Sequence, residues 1–170
     1  MTSNIVAGEV MGSMVQKNRR GENPRLQLLA GNSEWRVRHG DTGGQFCMFE
    51  TVIPPNGGVP MHRHPENEVF YLLEGQLSFA RMGDGGEEWM TADAGDCVHV
   101  PGNEWHAFRN PGTQPARMLT IGMGALGAFF EEASKLLESS GPVQGPPSPE
   151  AIQKMVSLTK KYGQAFFGRE

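Results

Sequence analysis

The sequence is poor in cysteine and has no excess of positive charge. Its two cysteines, Cys47 and Cys97, lie far apart and form no C-x-x-C pair, so we expect buried free thiols rather than a redox pair. Its 15 Lys and Arg residues against 19 Asp and Glu residues give a formal net charge of −4. Surfaces that bind nucleic acid are usually basic, so this balance argues against a nucleic-acid partner.

Long apolar runs are also missing. No stretch reaches the length of a membrane span, and no apolar segment followed by a cleavage site stands at the N-terminus. We therefore expect a soluble, cytoplasmic protein that has no membrane partner.

Turn-forming residues, in contrast, are abundant, with 23 glycines and 12 prolines among 170 residues. Between residues 25 and 124 these residues separate roughly eight to ten short, strand-like runs at regular spacing. This pattern predicts an all-β sandwich or barrel. A chain of this length can form one domain with a sizeable core.

The two ends of the chain differ from this middle part. Residues 1–24 are polar and weakly periodic, and they form either a disordered arm or an extended segment that reaches another subunit. Residues 125–170 predict a helical extension with a Pro/Gly-rich linker at 139–147, after which Ser148 caps a second helix that ends near Gly163. We expect these C-terminal helices to pack outside the barrel; the alternative is that they cover its mouth as a lid.

Residues 57–75, GGVPMHRHPENEVFYLLEG, contain the candidate metal ligands. His62 and His64 point to one side of a strand because successive side chains alternate. The Glu68 side chain points to the same side if the alternation of side chains continues through the bend at Pro65. Two imidazoles and a carboxylate suit a divalent transition metal, and His106 is a candidate for the missing ligand.

Together the segments 57–75 and 95–110 resemble the paired motifs of the cupin superfamily. The first motif, H-x-H, three residues, glutamate, six residues, glycine, is matched by His62, His64, Glu68 and Gly75. The second, G-x5-P-x-G-x2-H-x3-N, is matched by Gly95, Pro101, His106 and Asn110, except that Asn103 replaces a glycine. The opening glycine of the first motif is displaced to Gly57 or Gly58. Asn tolerates positive φ, so we expect the turn at Asn103 to survive.

This resemblance implies a cupin double-stranded β-helix, or jelly-roll barrel, and a homodimer. It also implies one divalent transition metal per chain, which could be Fe, Ni, Mn, Co, Cu or Zn. The metal ligands are then His62, His64, Glu68 and His106. His39 and His99 lie outside the motifs. His99 could hydrogen-bond to a metal-ligating side chain and orient it.

A narrower resemblance is to small monocupins called quercetin 2,3-dioxygenase-like proteins. It rests on one barrel followed by AFFEEAS, a proline-rich linker and a helix ending in Tyr-Gly. It implies a metal-dependent oxidoreductase that uses O₂ on a flavonol-like or other phenolic or enolic substrate, with Glu68 as both ligand and catalytic base. Proteins of similar sequence act as non-redox cyclases or isomerases on aromatic polyketides, and a non-catalytic small-molecule-binding cupin is a third possibility.

The predicted pocket wall is apolar and aromatic, with few charges. It favours a flat or aromatic small molecule over a sugar or a small diacid. The predicted lining residues are Phe46, Met48, Phe70, Leu72, Phe79, Trp105, Phe108 and Met118.

Overall fold

A computed structural model of the chain describes residues 15–137 and 143–169. The predictions for the first part of the N-terminal arm, 1–14, and for the first part of the linker, 139–142, lie outside the described residues. The described part of the arm follows strand β2, where the Asn18 amide donates to the Arg36 carbonyl over 2.6 Å.

Two antiparallel sheets form the barrel, as the alternating pattern predicts. One sheet has six strands in the order β1-β2-β3-β10-β5-β8, and the other has five in the order β11-β4-β9-β6-β7. The strands are β1 Arg25–Leu28, β2 Gly31–Val37, β3 Phe46–Ile53, β4 Gly58–Arg63, β5 Glu68–Glu74, β6 Gln76–Gly83, β7 Gly86–Asp93, β8 Cys97–Val100, β9 His106–Arg109, β10 Ala116–Met123 and β11 Ala165–Phe166. The prediction of an all-β jelly-roll barrel is confirmed.

The barrel core lies between the two sheets. Phe70 of one sheet meets Phe79 and Phe108 of the other, with ring centroids 5.4 to 5.7 Å apart. Such tilted aromatic contacts add to the free energy gained by removing the rings from water. Leu77 and Ile53 are completely buried in the same cluster.

Two α-helices follow the barrel, α1 Leu126–Leu137 and α2 Pro149–Thr159. Ser148 caps α2 as predicted, because its side chain accepts a hydrogen bond from the Ala151 amide. A single 3₁₀ turn continues α2 to Gly163, whose φ of 67° favours glycine and lets the chain reverse. The chain then enters β11, which pairs with β4.

The C-terminal elements extend over one end of the barrel. Leu126 and Phe129 of α1 and Met155 of α2 share a buried cluster with Trp35 and Phe49 of the six-stranded sheet. The helices pack against the six-stranded sheet from outside, as expected, and apolar residues on their inner faces also line a cavity beside the barrel.

Polar contacts fix this extension in place. Glu132, in the middle of α1, accepts hydrogen bonds from Tyr162 Oη at 2.8 Å and from Lys161 Nζ at 2.6 Å, which joins α1 to the 3₁₀ turn that follows α2. The Ser134 hydroxyl accepts from the Gln27 amide of β1 at 2.9 Å. The extension is thus tied to itself and to the barrel.

The cysteines behave differently from each other. Cys47 is buried, and burial raises the pKa of its thiol to about 12. Cys97 is exposed, so the expectation of two buried thiols is wrong for this residue, which lies on the outer face of β8.

Among the described residues, no helix combines the length and apolar character that crossing a membrane requires.

Candidate metal centre and cavity

A β-bulge in β4 directs His62 into the barrel. The pairing of β4 with β9 shifts register between Val59 and His62, so both of these residues face the same cavity although they are three apart. Pro60 lies inside this shift, where its missing N–H costs no ladder hydrogen bond. On β9, His106 stands directly opposite His62, and their ring centroids are 4.1 Å apart.

The loop that carries His64 is held by the loop of the second motif. The Asn103 amide donates to the His64 carbonyl over 2.7 Å, and Asn103 adopts the predicted positive φ, at 68°. Gly102 packs so closely on Pro65 that an added Cβ would overlap the Pro65 carbonyl oxygen. The glycine and the asparagine thus fix His64 relative to β9.

Asn110, the last residue of the second motif, is structural. Its side-chain amide donates to the carbonyls of Ile53 at 3.0 Å and Gln114 at 2.9 Å, and its carbonyl oxygen accepts from the Gly112 amide. It is 1% exposed. These bonds join the ends of β3 and β9 to the start of β10.

The four predicted ligands converge. One ring nitrogen from each of His62, His64 and His106 lies within 4.8 Å of the others, and these three histidines could hold a metal ion. Glu68 Oε2 lies 3.2 Å from His64 Nε2 and 3.7 Å from His106 Nε2. His64, Glu68 and His106 are each less than 5% exposed, so water competes little at this point.

Backbone carbonyls orient the three candidate ligand histidines, His62, His64 and His106. Each Nδ1 lies 2.9 Å from a carbonyl oxygen, which can only accept, so Nδ1 carries the proton and Nε2 keeps a lone pair. The Nε2 of His106 is buried and finds no hydrogen-bond partner within the described part of the chain. Three such lone pairs beside a carboxylate fit a divalent transition metal. The three carbonyls belong to Pro60, Glu66 and Glu104.

Burial and mutual charge determine the protonation of these groups. Burial, and then the charges of His106 and His64, lower the pKa of His62 well below its usual value, which keeps this imidazole neutral. Burial also acts to raise the Glu68 pKa, but the adjacent His106 and His64 side chains outweigh this effect and hold the pKa at about 2. Glu68 is therefore an ionised carboxylate at neutral pH.

A cavity lies between the four ligands and the C-terminal extension. Its volume is about 70 Å³, counted as space open to the centre of a water molecule; one water needs about 10–15 Å³ on that measure, so the cavity could hold a compact organic molecule. The walls are mostly apolar. The barrel contributes Leu28, Leu29, Ala30, Phe49, Thr51, Val59, His62, His64, Glu68, Phe70, Phe108, Met118 and Thr120. The extension contributes Leu126, Phe129, Phe130, Met155, Thr159, Gln164, Ala165 and Phe166.

Only some of the eight pocket residues predicted from the sequence line the cavity in the structure. Phe70, Phe108 and Met118 line the cavity, whereas Leu72 and Phe79 lie in the adjoining barrel core. Three other residues are not part of the wall: Phe46, Met48 and Trp105. On β3 the cavity is lined by Phe49 and Thr51, so the opposite face of this strand points inward. Trp105 instead packs edge-on against Phe167, with ring centroids 5.3 Å apart.

Sequence reasoning kept the C-terminal helices as a possible lid but named none of their residues as part of the pocket wall. Phe129 and Phe130 line the cavity from α1, and Gln164 and Phe166 line it from the segment after Gly163. The adjacent phenylalanines widen the apolar face of α1 beyond a narrow stripe, and this was the available signal for a helix that contacts two surfaces. No comparable signal marks Gln164.

Comparison with known proteins agrees with this geometry. Residues 49–122 match the family model described as Cupin domain, and this segment contains all four candidate ligands. No curated protein matches the sequence. Among solved structures, the polyketide cyclase RemF from Streptomyces resistomycificus superposes with a TM-score of 0.56 at 22% identity, covering 65% of this chain and 80% of that one.

Oxalate decarboxylases are similar in fold as well. One from Bacillus subtilis gives a TM-score of 0.54 at 16% identity, covering 66% of this chain and 30% of its own. One from Lactobacillus farciminis gives 0.50 at 19% identity, covering 60% of this chain and 31% of its own. The chain therefore spans under a third of these decarboxylases, and identities this low establish the fold alone.

Proposed function

Because residues 49–122 match the Cupin domain family model and contain three convergent histidines, we propose that the protein is a metal-dependent dioxygenase acting on a phenolic or enolic aromatic molecule, for example a flavonol. One observation carries the proposal: the histidines His62, His64 and His106 and the Glu68 carboxylate converge beside an apolar cavity, which His62, His64 and Glu68 help to line.

Glu68 completes the ligand set in this proposal. Its Oε2 is close enough to His64 Nε2 and His106 Nε2, at 3.2 and 3.7 Å, for all three atoms to bind one ion. When bound, a redox-active divalent metal supplies positive charge for a substrate oxyanion and electron exchange with O₂.

Glu68 is also the base. It is ionised and buried, and of the described residues that line the cavity it alone carries a carboxylate. It can take the proton of a substrate hydroxyl or of an acidic C–H that enters the cavity. A reaction that begins with the removal of one proton suits a cavity with one such base.

The apolar wall positions the substrate and excludes water. Phe70 and Phe108 from the barrel face Phe129 and Phe130 from α1 across the cavity. Flat aromatic molecules pack well between such rings. Exclusion of water protects an electron-rich, deprotonated substrate until O₂ reacts with it.

A non-redox cyclase or isomerase acting on an aromatic polyketide is the second candidate. The same base and a redox-inert metal would support proton transfer without O₂. The fold similarity to RemF, whose name identifies it as a polyketide cyclase, covers 80% of that chain and favours keeping this candidate.

Oxygen dependence separates the two candidates. The protein is purified without added metal, its metal content is measured, and Fe(II)-, Ni(II)- and Zn(II)-loaded samples are incubated with 3-hydroxyflavone while O₂ is monitored. We expect one O₂ consumed per flavonol lost with Fe(II) or Ni(II), and no turnover with Zn(II). Turnover that continues unchanged without O₂, or with Zn(II), would contradict the dioxygenase and favour the cyclase.

The base is tested by Glu68→Gln, which keeps the size of the side chain. We expect turnover to fall by about 10²–10⁴-fold, the usual contribution of a positioned base. Glu104→Gln is the matched control, because this exposed side chain changes while its backbone carbonyl still orients His106. Equal turnover of Glu68→Gln and wild type at equal metal content would exclude the assigned role.

A further inference from the structure

Gln164 is an unusual residue in the wall of the cavity. It follows the left-handed Gly163, its backbone amide donates to the Thr159 carbonyl at 3.0 Å, and its side chain is 8% exposed. Its Nε2 is buried and finds no hydrogen-bond partner among the residues that the structure describes. Buried amides are nearly always paired, so the missing partner requires an explanation.

The other uncharged polar side chain that the extension contributes to the cavity wall, Thr159, does have a hydrogen-bond partner. Thr159 lines the same wall, but its hydroxyl donates to the Val156 carbonyl at 2.9 Å. The other residues that the extension contributes are apolar: Leu126, Phe129, Phe130, Met155, Ala165 and Phe166. A leucine or methionine at position 164 would fill this space without burying an unpaired amide.

The segment that carries Gln164 is attached to the candidate metal centre. Phe166 pairs with His62 between β11 and β4, and their ring centroids lie 5.8 Å apart. Only Ala165 separates Gln164 from Phe166, so the pairing of β11 with β4 constrains the position of Gln164 relative to the histidines. An amide held in this way is preorganised to bind one atom of a molecule in the cavity.

We propose that Gln164 orients the bound molecule by donating a hydrogen bond from its side-chain amide to a second oxygen of that molecule. The inference rests on the proposed function, because it assumes that the first oxygen lies at His62, His64, His106 and Glu68. The ligand class is therefore an aromatic molecule with two oxygen functions, one facing the histidines and one facing the C-terminal segment.

This arrangement has a consequence for selectivity. A ligand without the second oxygen leaves the Gln164 amide unpaired, and a site built around a hydrogen bond discriminates strongly against such a ligand. Replacing the amide by an apolar group of similar size removes that penalty. The variant should therefore lose selectivity and keep its affinity for the simpler ligand.

Binding to the zinc-loaded protein tests the proposal, since zinc prevents oxidation of the probe. The parent probe is 3-hydroxyflavone, whose three oxygens all belong to its 3-hydroxy-4-oxopyran ring. Its derivatives carry one methoxy group at position 6, 7, 3′ or 4′, which supplies the second oxygen outside that ring. We expect at least one derivative to bind wild type about tenfold tighter than the parent, and Gln164→Leu to abolish this difference. Gln153→Leu, at an exposed position of α2, is the matched control and should leave all dissociation constants within twofold.

Thermal unfolding of the metal-loaded protein without any probe supplies a measurement that does not depend on the ligand. Because Gln164→Leu removes an unpaired buried amide, its Tm should equal or exceed that of wild type. A clear loss of Tm would show that the amide has a structural partner and would overturn the proposal. Binding of the probes with equal preference in wild type and Gln164→Leu would overturn it as well.

Failure of the proposed function and failure of the Gln164 inference would give different experimental results. If no probe binds wild type, the assigned substrate class is wrong and the role of Gln164 falls with it. If the probes bind and are turned over with O₂ but Gln164→Leu keeps every preference, the proposed function stands and only the inference about Gln164 is wrong.

Discussion

Each histidine of the metal centre is oriented by a carbonyl only two residues away in the chain. His62 and His106 use the carbonyls of Pro60 and Glu104, and His64 uses that of Glu66. Local backbone geometry therefore determines that Nε2, and not Nδ1, is the nitrogen that can bind a metal, and distant packing is not needed for this. This explains how short motifs can specify a ligand set. Residue spacing suggested His62, His64 and Glu68, and the cupin resemblance implied the full set with His106.

The His106→Ala substitution removes one ligand and leaves a buried gap opposite His62. We expect metal content to fall from near one ion per chain to a small fraction, because even residues that only orient ligands typically cost 10–100-fold in affinity, roughly, when changed. Elemental analysis of the purified protein measures it. His99→Ala is the control, since His99 is exposed and bonds to the Asn67 side chain at 3.3 Å. Full metal content in His106→Ala would refute the ligand assignment.

At the scale of elements, the close contact between the two motif loops holds the centre together. Gly102 rests on the Pro65 carbonyl, and the Asn103 amide binds the His64 carbonyl. The loops before β5 and before β9 are therefore packed on and hydrogen-bonded to each other. A change in either loop should shift His64.

Gly102→Ala tests this contact, because its new methyl group would overlap the Pro65 carbonyl oxygen. We expect the free energy of unfolding to fall by about 1–3 kcal/mol, as is usual for overpacking, and metal affinity to fall with it. Gly85→Ala, at a hairpin tip with open space around it, should change neither. Chemical denaturation and metal titration provide both values, and identical results for the two variants would contradict a close contact of the loops.

The chain before β1 is held to β2 by Glu34. Its Oε1 accepts from the Gly21 amide at 2.7 Å, from the Asn23 amide at 3.2 Å and from the Asn23 side chain at 3.0 Å. Burial acts to raise the Glu34 pKa, but these bonds and Arg36 outweigh it and lower the pKa to about 2. A carboxyl whose pKa is depressed by folding stabilises the protein above its unfolded pKa, near 4.5, and loses this effect as the pH falls toward 2.

Glu34→Gln should therefore lower the free energy of unfolding at pH 7. The difference from wild type should shrink between pH 4.5 and pH 2, because the wild-type carboxyl becomes protonated there. Glu22→Gln, at an exposed position nearby, is the control and should leave the pH profile unchanged. Denaturation at a series of pH values measures the effect; a constant difference across this range would mean that the hydrogen bonds of Glu34 do not depend on its charge.

Sequence periodicity identified the strands better than it identified their inward faces. In β3, alternation correctly separates Phe46 and Met48 from Phe49 and Thr51, but both sets contain apolar residues, and only the second lines the cavity. Which face points inward depends on the partner strands β2 and β10 and on α1, and these contacts are not local in sequence. The same reason explains why Cys97 is exposed although its residue type is usually buried.

At the scale of the whole molecule, the cavity is a joint product of the barrel and the C-terminal extension. The ligands come from β4, β5, β9 and the loop after β4, and the opposite wall comes from α1, α2 and β11. The helices themselves could be predicted from spacing and from the Ser148 cap. Their position over the cavity could not be predicted. An apolar helix face indicates that the helix packs against other residues, but it does not identify those residues.

Since the ligands lie in three separate strands and a loop, a bound metal should stabilise the whole fold. At a metal concentration about 1,000 times the dissociation constant, the gain is about 4 kcal/mol, or about 8–16 °C in Tm for a chain of this size. Removing the metal with a chelator should lower Tm by that amount, as measured by scanning calorimetry. His64→Ala is the control and should show no response to the chelator; an unchanged Tm in wild type after the metal is removed would contradict the assignment.

The order of these elements along the chain determines the order in which they leave the ribosome. All four ligands are synthesised before α1 begins at Leu126. A nascent chain can therefore assemble the histidines and Glu68 while the barrel is still open. An ion can enter at that stage, whereas an organic molecule is enclosed only after the last strand, β11, has been made and has paired with β4.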